Sequence, residues 1–377
     1  MSKNDKPHVV DLFAGVGGLS LGASRAGFNV AAAVEFDKQA IAAHKLNFPK
    51  TQHVEEDISS LTAKKLLEEA GLARSEVTGI IGGPPCQGFS TIGRRSADDP
   101  RNSLFATFFK LVAKVRPAFF VAENVPGILN ERNDALREAA LAHVPKSYKV
   151  LKPFKVKASE YGAPTIRTRV FFIGYDPKRV NALTEADFLP NPETQTVKVE
   201  FALKGVPELG AVWDSGDGWR TVSEPDDSHF GKRLKAHIPA NVGHKESIKK
   251  YREKKLVSGF FSTTHTPESV ERFKALDAGK ADKVSKSVRL DPNGFCPTLR
   301  AGTGPEKGSY QAVRPIHPTD PRVICPREAA RLQGFPDWFQ FDTTKWHAFR
   351  QIGNSVSPIV AEAILSKIIS ALKMEDS

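Results

Sequence analysis

Cys86 stands in Gly82-Gly83-Pro84-Pro85-Cys86-Gln87-Gly88-Phe89-Ser90, at the end of an apolar run. A lone cysteine is most often a small core hydrophobe. Here two glycines and two prolines precede it and another glycine follows. That composition puts it on a rigid, irregular loop just past a strand, where a thiol faces a cleft and nearby cations favour the thiolate. A second apolar run ends Ala122-Glu123-Asn124-Val125. A carboxylate one strand away from the thiol can bond or protonate a ring nitrogen while the thiol attacks a neighbouring carbon. Arg167 and Arg169 lie one residue apart ahead of a further apolar strand. Alternate strand residues share a face, so both guanidinium groups can point the same way; surface salt bridging is the plainer reading of the arginines alone.

A second group of residues suits a cofactor. The first strand runs into Asp11-Leu-Phe-Ala-Gly15-Val-Gly17-Gly18-Leu19-Ser20, a turn whose glycines let the backbone approach a ligand and whose helix offers free N–H groups. The spacing is not that of the dinucleotide fingerprint. The second strand ends at Glu35, where a carboxylate can accept from both ribose hydroxyls. Asp57, after the third strand region, can meet an adenine amino group, or simply cap a helix. Together they describe an adenosine-containing cofactor without a pyrophosphate clamp.

These residues need elements to hold them. His8–Phe13, Asn29–Glu35, Thr78–Gly82, Ala118–Glu123 and Arg169–Tyr175 read as buried strands, and Leu19–Ala26, Gln39–Asn47, Ala63–Ala70 and Leu104–Val115 as helices. Alternation of this kind predicts a parallel sheet covered on both faces, with ligands at the carboxyl ends of its strands. From 177 to 326 the rhythm is lost in a stretch rich in Pro, Gly, Ser and Lys. Helical periodicity returns at Arg327–Gln333 and Val360–Leu372.

The chain has 377 residues, 40% apolar and 26% charged, with a net charge of +11 and three cysteines. That argues against a disulfide scaffold or a cysteine-rich zinc site and for a reduced, cytosolic protein. No signal-peptide layout opens it, and no stretch reads as the roughly 20 apolar residues of a membrane span. Residues 231–290 hold 15 lysines and arginines against six acidic residues, a local excess of +9 that suits a polyanion such as nucleic acid.

Six ordered motifs resemble the DNA (cytosine-5) methyltransferase family: Asp11–Ser20, Pro84–Phe89, Glu123-Asn124-Val125, Arg167/Arg169, Arg327-Glu-Ala-Ala-Arg-Leu-Gln-Gly-Phe-Pro336 and Gln351-Ile-Gly-Asn-Ser-Val356. The resemblance implies an α/β, Rossmann-like S-adenosylmethionine-dependent fold with a second, smaller target-recognition domain. Residues 1–185, completed by 347–377, would form the catalytic and cofactor-binding domain, and 186–346 the recognition domain. It implies S-adenosylmethionine binding by Phe13, Gly15, Gly17, Gly18, Leu19, Glu35, Asp57, Asn354, Ser355 and Val356. Cys86 matches the nucleophile, Glu123 the residue that engages cytosine N3, and Arg167 and Arg169 the arginines near the target base. Gln87 and Ser90 fall in the loop 87–101 that closes over DNA, and Thr298-Leu299 matches a pair in the recognition domain. One departure stands out: Thr165 occupies the place of the family's usual Gln.

The chemistry requires these residue types. Carbon 5 of cytosine is a poor nucleophile until a thiolate adds at carbon 6 and N3 is held by a proton or strong hydrogen bond. No metal is needed, and the base must leave the duplex to be reached. The expected partner is double-stranded DNA, with the protein a cytoplasmic monomer; a cognate restriction endonuclease is compatible with the family, though no residue identifies one. An RNA cytosine methyltransferase shares the motifs but not the long basic region. A non-catalytic relative should lack Cys86, and a nicotinamide-dependent oxidoreductase does not fit the glycine spacing.

Overall fold

The computed structural model describes residues 6–85, 102–209, 218–235, 238–301 and 314–373. Strand and helix alternate from the start: β1 (His8–Leu12), α1 (Gly18–Ala26), β2 (Asn29–Val34), α2 (Lys38–Asn47), β3 (Gln52–Val54), α3 (Ala63–Ala70), β4 (Val77–Gly82), α4 (Asn102–Val115) and β5 (Phe119–Asn124). Next come α5 (Asp134–Leu141), β6 (Lys149–Val150), β7 (Phe154–Lys157) and β8 (Thr168–Tyr175). They form one sheet in the order β3-β2-β1-β4-β5-β8-β6, with β7 also on β8. The strands from β3 to β5 are mutually parallel, whereas β8 runs antiparallel to β5, β6 and β7.

Successive strand residues point to opposite faces. Val9, Ile81, Phe119 and Val121 therefore join one apolar cluster, while Val10, Ile80, Phe120 and Ala122 join the other. The strand order reverses between β1 and β4, opening a crevice at their carboxyl ends.

The aperiodic region folds into short pieces: α6 (Val199–Leu203), β9 (Arg220–Thr221), α7 (His229–Lys235), α8 (Lys245–Lys254), β10 (Leu256–Val257) and α9 (Pro267–Lys274). Side chains do much of the joining. The Arg289 guanidinium, for example, donates to the carbonyls of Phe273, Leu276, Pro318 and Thr319.

The chain then returns through α10 (Pro326–Gln333), α11 (Lys345–Asn354) and α12 (Pro358–Ala371). Every residue of α10 is buried, so its charges must be paired or bonded internally. Arg331 forks onto Asp337 at 2.8 and 2.7 Å, Glu328 takes two bonds from Arg322, and Arg327 donates to the carbonyls of Ser258, Pro336 and Phe339. The Arg-Leu-Gln-Gly-Phe-Pro motif is thus an internal brace.

Two expectations need correction. The stretch Lys345–Ala371 is long and apolar enough by composition to cross a membrane, a property that reading the sequence for apolar runs did not reveal. It is divided into α11 and α12 by extended backbone at Ser355, and 67% of its most apolar window is buried inside the protein, α12 packing against α1. Secondly, β2 ends at Val34 and Glu35 follows it, its N–H still donating to the Val54 carbonyl at 3.1 Å.

Candidate active site

A cavity of about 940 Å³ opens at the crevice. On one side lies the glycine turn, with Phe13, Gly15 and Gly17 all at positive φ (64°, 55° and 100°). Phe13 is not a glycine, so holding it left-handed costs roughly 1–2 kcal/mol, met by surrounding packing. Phe13, Gly15, Gly18 and Leu19 line the cavity, while Gly17 is turned away from it onto His44 and Phe48.

Glu35 crosses the same space. Its Oε2 accepts the Gly15 N–H and its Oε1 the Asp37 N–H, each at 2.8 Å. Burial raises the Glu35 carboxyl above its ordinary range, and the two N–H donors work against that rise. A carboxylate has about four acceptor positions, so each oxygen can still receive one hydroxyl.

Asp57 is exposed at the rim, where its Oδ1 accepts the Ser59 N–H at 2.8 Å. The turn-capping role and the place beside the cavity therefore coexist. Phe36, 70% exposed on the cavity wall, was missed by sequence reasoning; its position next to Glu35 was the available signal.

The far wall comes from the C-terminal helices. Asn354, Ser355 and Val356 line the cavity beside Gly18. Their turn is held by Gln333, whose side-chain amide donates to the Ser355 carbonyl at 2.8 Å. Arg350 pairs with Asp37, and Gln351 donates to the Gln39 carbonyl. Sequence reasoning did not foresee Gln333 or Arg350 in these roles.

At the other end, Glu123 is 8% exposed and its Oε1 lies 2.7 Å from the Arg169 Nε. Next to it, the Asn124 amide donates to the Pro84 carbonyl, tying β5 to the Pro84-Pro85 turn. Arg167 is buried with its Nη1 donating to the Leu299 carbonyl at 3.1 Å. Burial lowers the pKa of both arginines; the Arg169 charge adds to the drop at Arg167, and Glu123 opposes both shifts. Glu123, Arg167, Arg169, Pro84 and Pro85 all line the cavity.

Cys86, Gln87 and Ser90 lie outside the described residues. Thr298 is exposed, whereas the Leu299 side chain is in the core and offers its carbonyl to Arg167. Cys296 and Cys325 are buried thiols whose pKa values burial pushes up, which makes them poor nucleophiles.

A buried polar chain underlies the glycine turn. Ser20 Oγ donates to Asp11 Oδ2 at 2.6 Å, His44 Nε2 lies 3.0 Å from Ser20 Oγ, and His53 Nε2 lies 2.9 Å from His44 Nδ1. Because Ser20 spends its proton on Asp11, His44 must donate from Nε2 and accept at Nδ1.

The strand order, with β8 inserted antiparallel beside β5, together with the glycine turn and Glu35, defines a Rossmann-like S-adenosylmethionine-dependent methyltransferase fold. The chain belongs to the C-5 cytosine-specific DNA methylase family, whose profile matches residues 8–370. It is 39% identical over 373 residues to the Type II methyltransferase M.XorII of Xanthomonas oryzae pv. oryzae, covering 98% of this chain and 86% of that one. Identity to the Type II methyltransferase M.DdeI of Desulfomicrobium norvegicum is 33%, covering 96% and 88%. Among solved structures, a prophage-encoded E. coli protein assigned as a DNA modification methyltransferase superposes with a TM-score of 0.86 at 50% identity, covering 97% and 99%. The S. pombe Dnmt2 methyltransferase shares the fold at a TM-score of 0.60 and 15% identity, covering 97% and 99%. The protein is a DNA (cytosine-5) methyltransferase.

Proposed function

We propose that the protein transfers a methyl group from S-adenosylmethionine to carbon 5 of a cytosine flipped out of a specific duplex DNA sequence, through a covalent adduct with Cys86. The observation that carries this reading is that the Glu123–Arg169 pair and the Glu35 carboxylate open into one cavity.

The residues fit the cofactor. Glu35 has acceptor positions left for the ribose hydroxyls, Asp57 has an oxygen left for the adenine amino group, and Phe36 offers a flat apolar face. Phe13, the turn Gly15–Leu19 and the wall Asn354–Val356 would enclose the remainder. When bound, S-adenosylmethionine supplies a methyl group on a cationic sulfur.

The chain's own groups do the rest. The Cys86 thiolate adds to carbon 6 of the cytosine, and Glu123 holds N3 with a proton or strong hydrogen bond. That makes carbon 5 electron-rich enough to accept the methyl group. Loss of the carbon 5 proton then restores the ring double bond and expels Cys86. Arg169 keeps Glu123 oriented, and Arg167 lies beside the base.

We assign 1–185 with 347–377 to catalysis and cofactor binding, and 186–346 to target recognition. Gln87, Ser90 and Thr298 belong to the DNA-contacting set, whereas Leu299, its side chain in the core, holds Arg167 through its carbonyl. The partner is double-stranded DNA, bound by a cytoplasmic monomer, and the Type II names of the relatives support a cognate restriction endonuclease.

Duplex DNA carrying 5-fluorocytosine tests the mechanism. With S-adenosylmethionine present, the wild-type protein should be trapped covalently, since fluorine cannot leave as a proton does, and Cys86→Ala should not. Methyl transfer by Cys86→Ala would sink the covalent route, and a preference for transfer RNA over duplex DNA would reassign the substrate.

A further inference from the structure

We infer that Thr165 is a positioning residue: its hydroxyl ties the arginine segment to residues 296–301, so that the placement of Arg167 depends on how that segment is seated. The inference rests on the functional reading above.

Residues 164–166 and Cys296 run side by side in a short parallel bridge. The Cys296 N–H donates to the Pro164 carbonyl at 2.9 Å, and the Ile166 N–H to the Cys296 carbonyl at 3.0 Å. Thr165 is completely buried between them. Its Oγ1 donates to the same Cys296 carbonyl at 3.0 Å and accepts the Arg167 N–H at 3.3 Å. Two residues on, the Arg167 guanidinium reaches back to the Leu299 carbonyl at 3.1 Å. The Arg167 side chain is thus bonded to the neighbouring segment directly and its N–H through the Thr165 hydroxyl, while its carbonyl accepts the Ala158 N–H at 2.9 Å.

That segment is held from its other side as well. Gly353, in the last turn of α11 and on the cavity wall, abuts it so closely that a Cβ would stand 2.6 Å from the Ala301 nitrogen and 2.6 Å from the Arg300 carbonyl carbon. Meanwhile Thr298 and Arg300 are exposed, and Ile166 is 42% exposed. The strip thus presents Thr298 and Arg300 outward and buries Cys296 and Leu299, while its backbone is wedged between the arginine segment and the cofactor wall. DNA docked on the outer side chains acts on Arg167 through this backbone. Threonine is suited to the tie, because its β-branched side chain is restricted at χ1 and its hydroxyl can donate and accept at once.

Thr165→Val keeps the shape and removes the hydroxyl. The Cys296 carbonyl retains the Ile166 N–H, but the Arg167 N–H is left without its acceptor. We expect kcat on duplex DNA to fall about tenfold with the Kd for S-adenosylmethionine unchanged, and Thr165→Ser to restore the rate. Hydrogen exchange of the 296–301 amides in the free protein provides a readout independent of turnover: it should quicken in Thr165→Val and return to wild type in Thr165→Ser. Equal exchange in the valine and serine variants overturns the inference, whatever the activity. Failure of the wild-type protein to methylate duplex DNA would count against the functional reading instead, and the exchange arm would still decide the tie.

Discussion

Glu123 and Arg169 meet as a diagonal pair across β5 and β8. Phe171, two residues beyond Arg169, is the direct antiparallel partner of Glu123, and diagonal neighbours on one face lie within reach of long side chains. Arg169→Ala would leave the carboxylate buried without its counter-charge. Turnover on DNA should fall by roughly 100-fold or more. Arg169→Lys should restore little, lacking the planar fork. Steady-state turnover of the alanine variant equal to that of wild type would refute the pairing's role.

Glu35→Ala should weaken S-adenosylmethionine binding by about 1.5–3 kcal/mol, the worth of hydrogen bonds to a charged group. Titration calorimetry reads this directly. DNA affinity, measured by gel shift, should be unaffected, because Glu35 turns inward onto Gly15 and Asp37.

Asp11 gives stability a pH dependence. Burial raises its carboxyl from 3.8 to about 7, with Ser20 opposing the rise and Glu35 reinforcing it. The folded protein therefore keeps a proton that the unfolded chain has released. Stability from this group is complete below pH 3.8 and is lost as pH rises through about 7. Asp11→Asn keeps an acceptor for Ser20 and removes the titration. The variant should gain on wild type by up to roughly 4 kcal/mol across that window. The burial-lowered pKa values of His44 and His53 act in the opposite sense and the burial-raised Glu35 in the same sense in both proteins, so the difference between them reports Asp11 with its coupling to Glu35. Parallel unfolding curves at all pH values would contradict the assignment.

The basic region gives a prediction about salt. Of the lysines clustered on and after α8, Lys255 pairs with Glu224 at 2.7 Å and Lys250 lies over the Trp219 ring. Lys249 and Lys254 are exposed. Neutralising these two should lower the slope of log binding constant against log salt by about 0.9 for each phosphate that no longer has a lysine beside it, without changing the sequence methylated. An unchanged slope would show that α8 does not face DNA.

The strand ends and the glycine turn were legible because their residues are local signals: apolar runs stopped by Gly, Pro or an acid. The pairing of Glu123 with Arg169 was not. It depends on β8 entering the sheet antiparallel beside β5 and on a register that no local pattern encodes. Helix α11 escaped because Lys345–Asn354 mixes polar and aromatic residues and carries a glycine in its last turn. The arginines of α10 look like surface residues by type, and only their internal partners explain their burial. Cys86, Gln87 and Ser90 were identified by motif alone.

The packing of α1 on α12, where Gly22 sits against Ala361 with no room for a side chain, sets an order of events during synthesis. The ribosome makes α1 more than 300 residues before the helix that covers it. Pairings of such sequence separation are slow to form, so the apolar face of α1 and the sheet beneath it remain uncovered until α12 has been made. Until then the apolar face of α1 is open to aggregation, and the cavity wall at Asn354–Val356, which leads into α12, has not been seated beside Gly18.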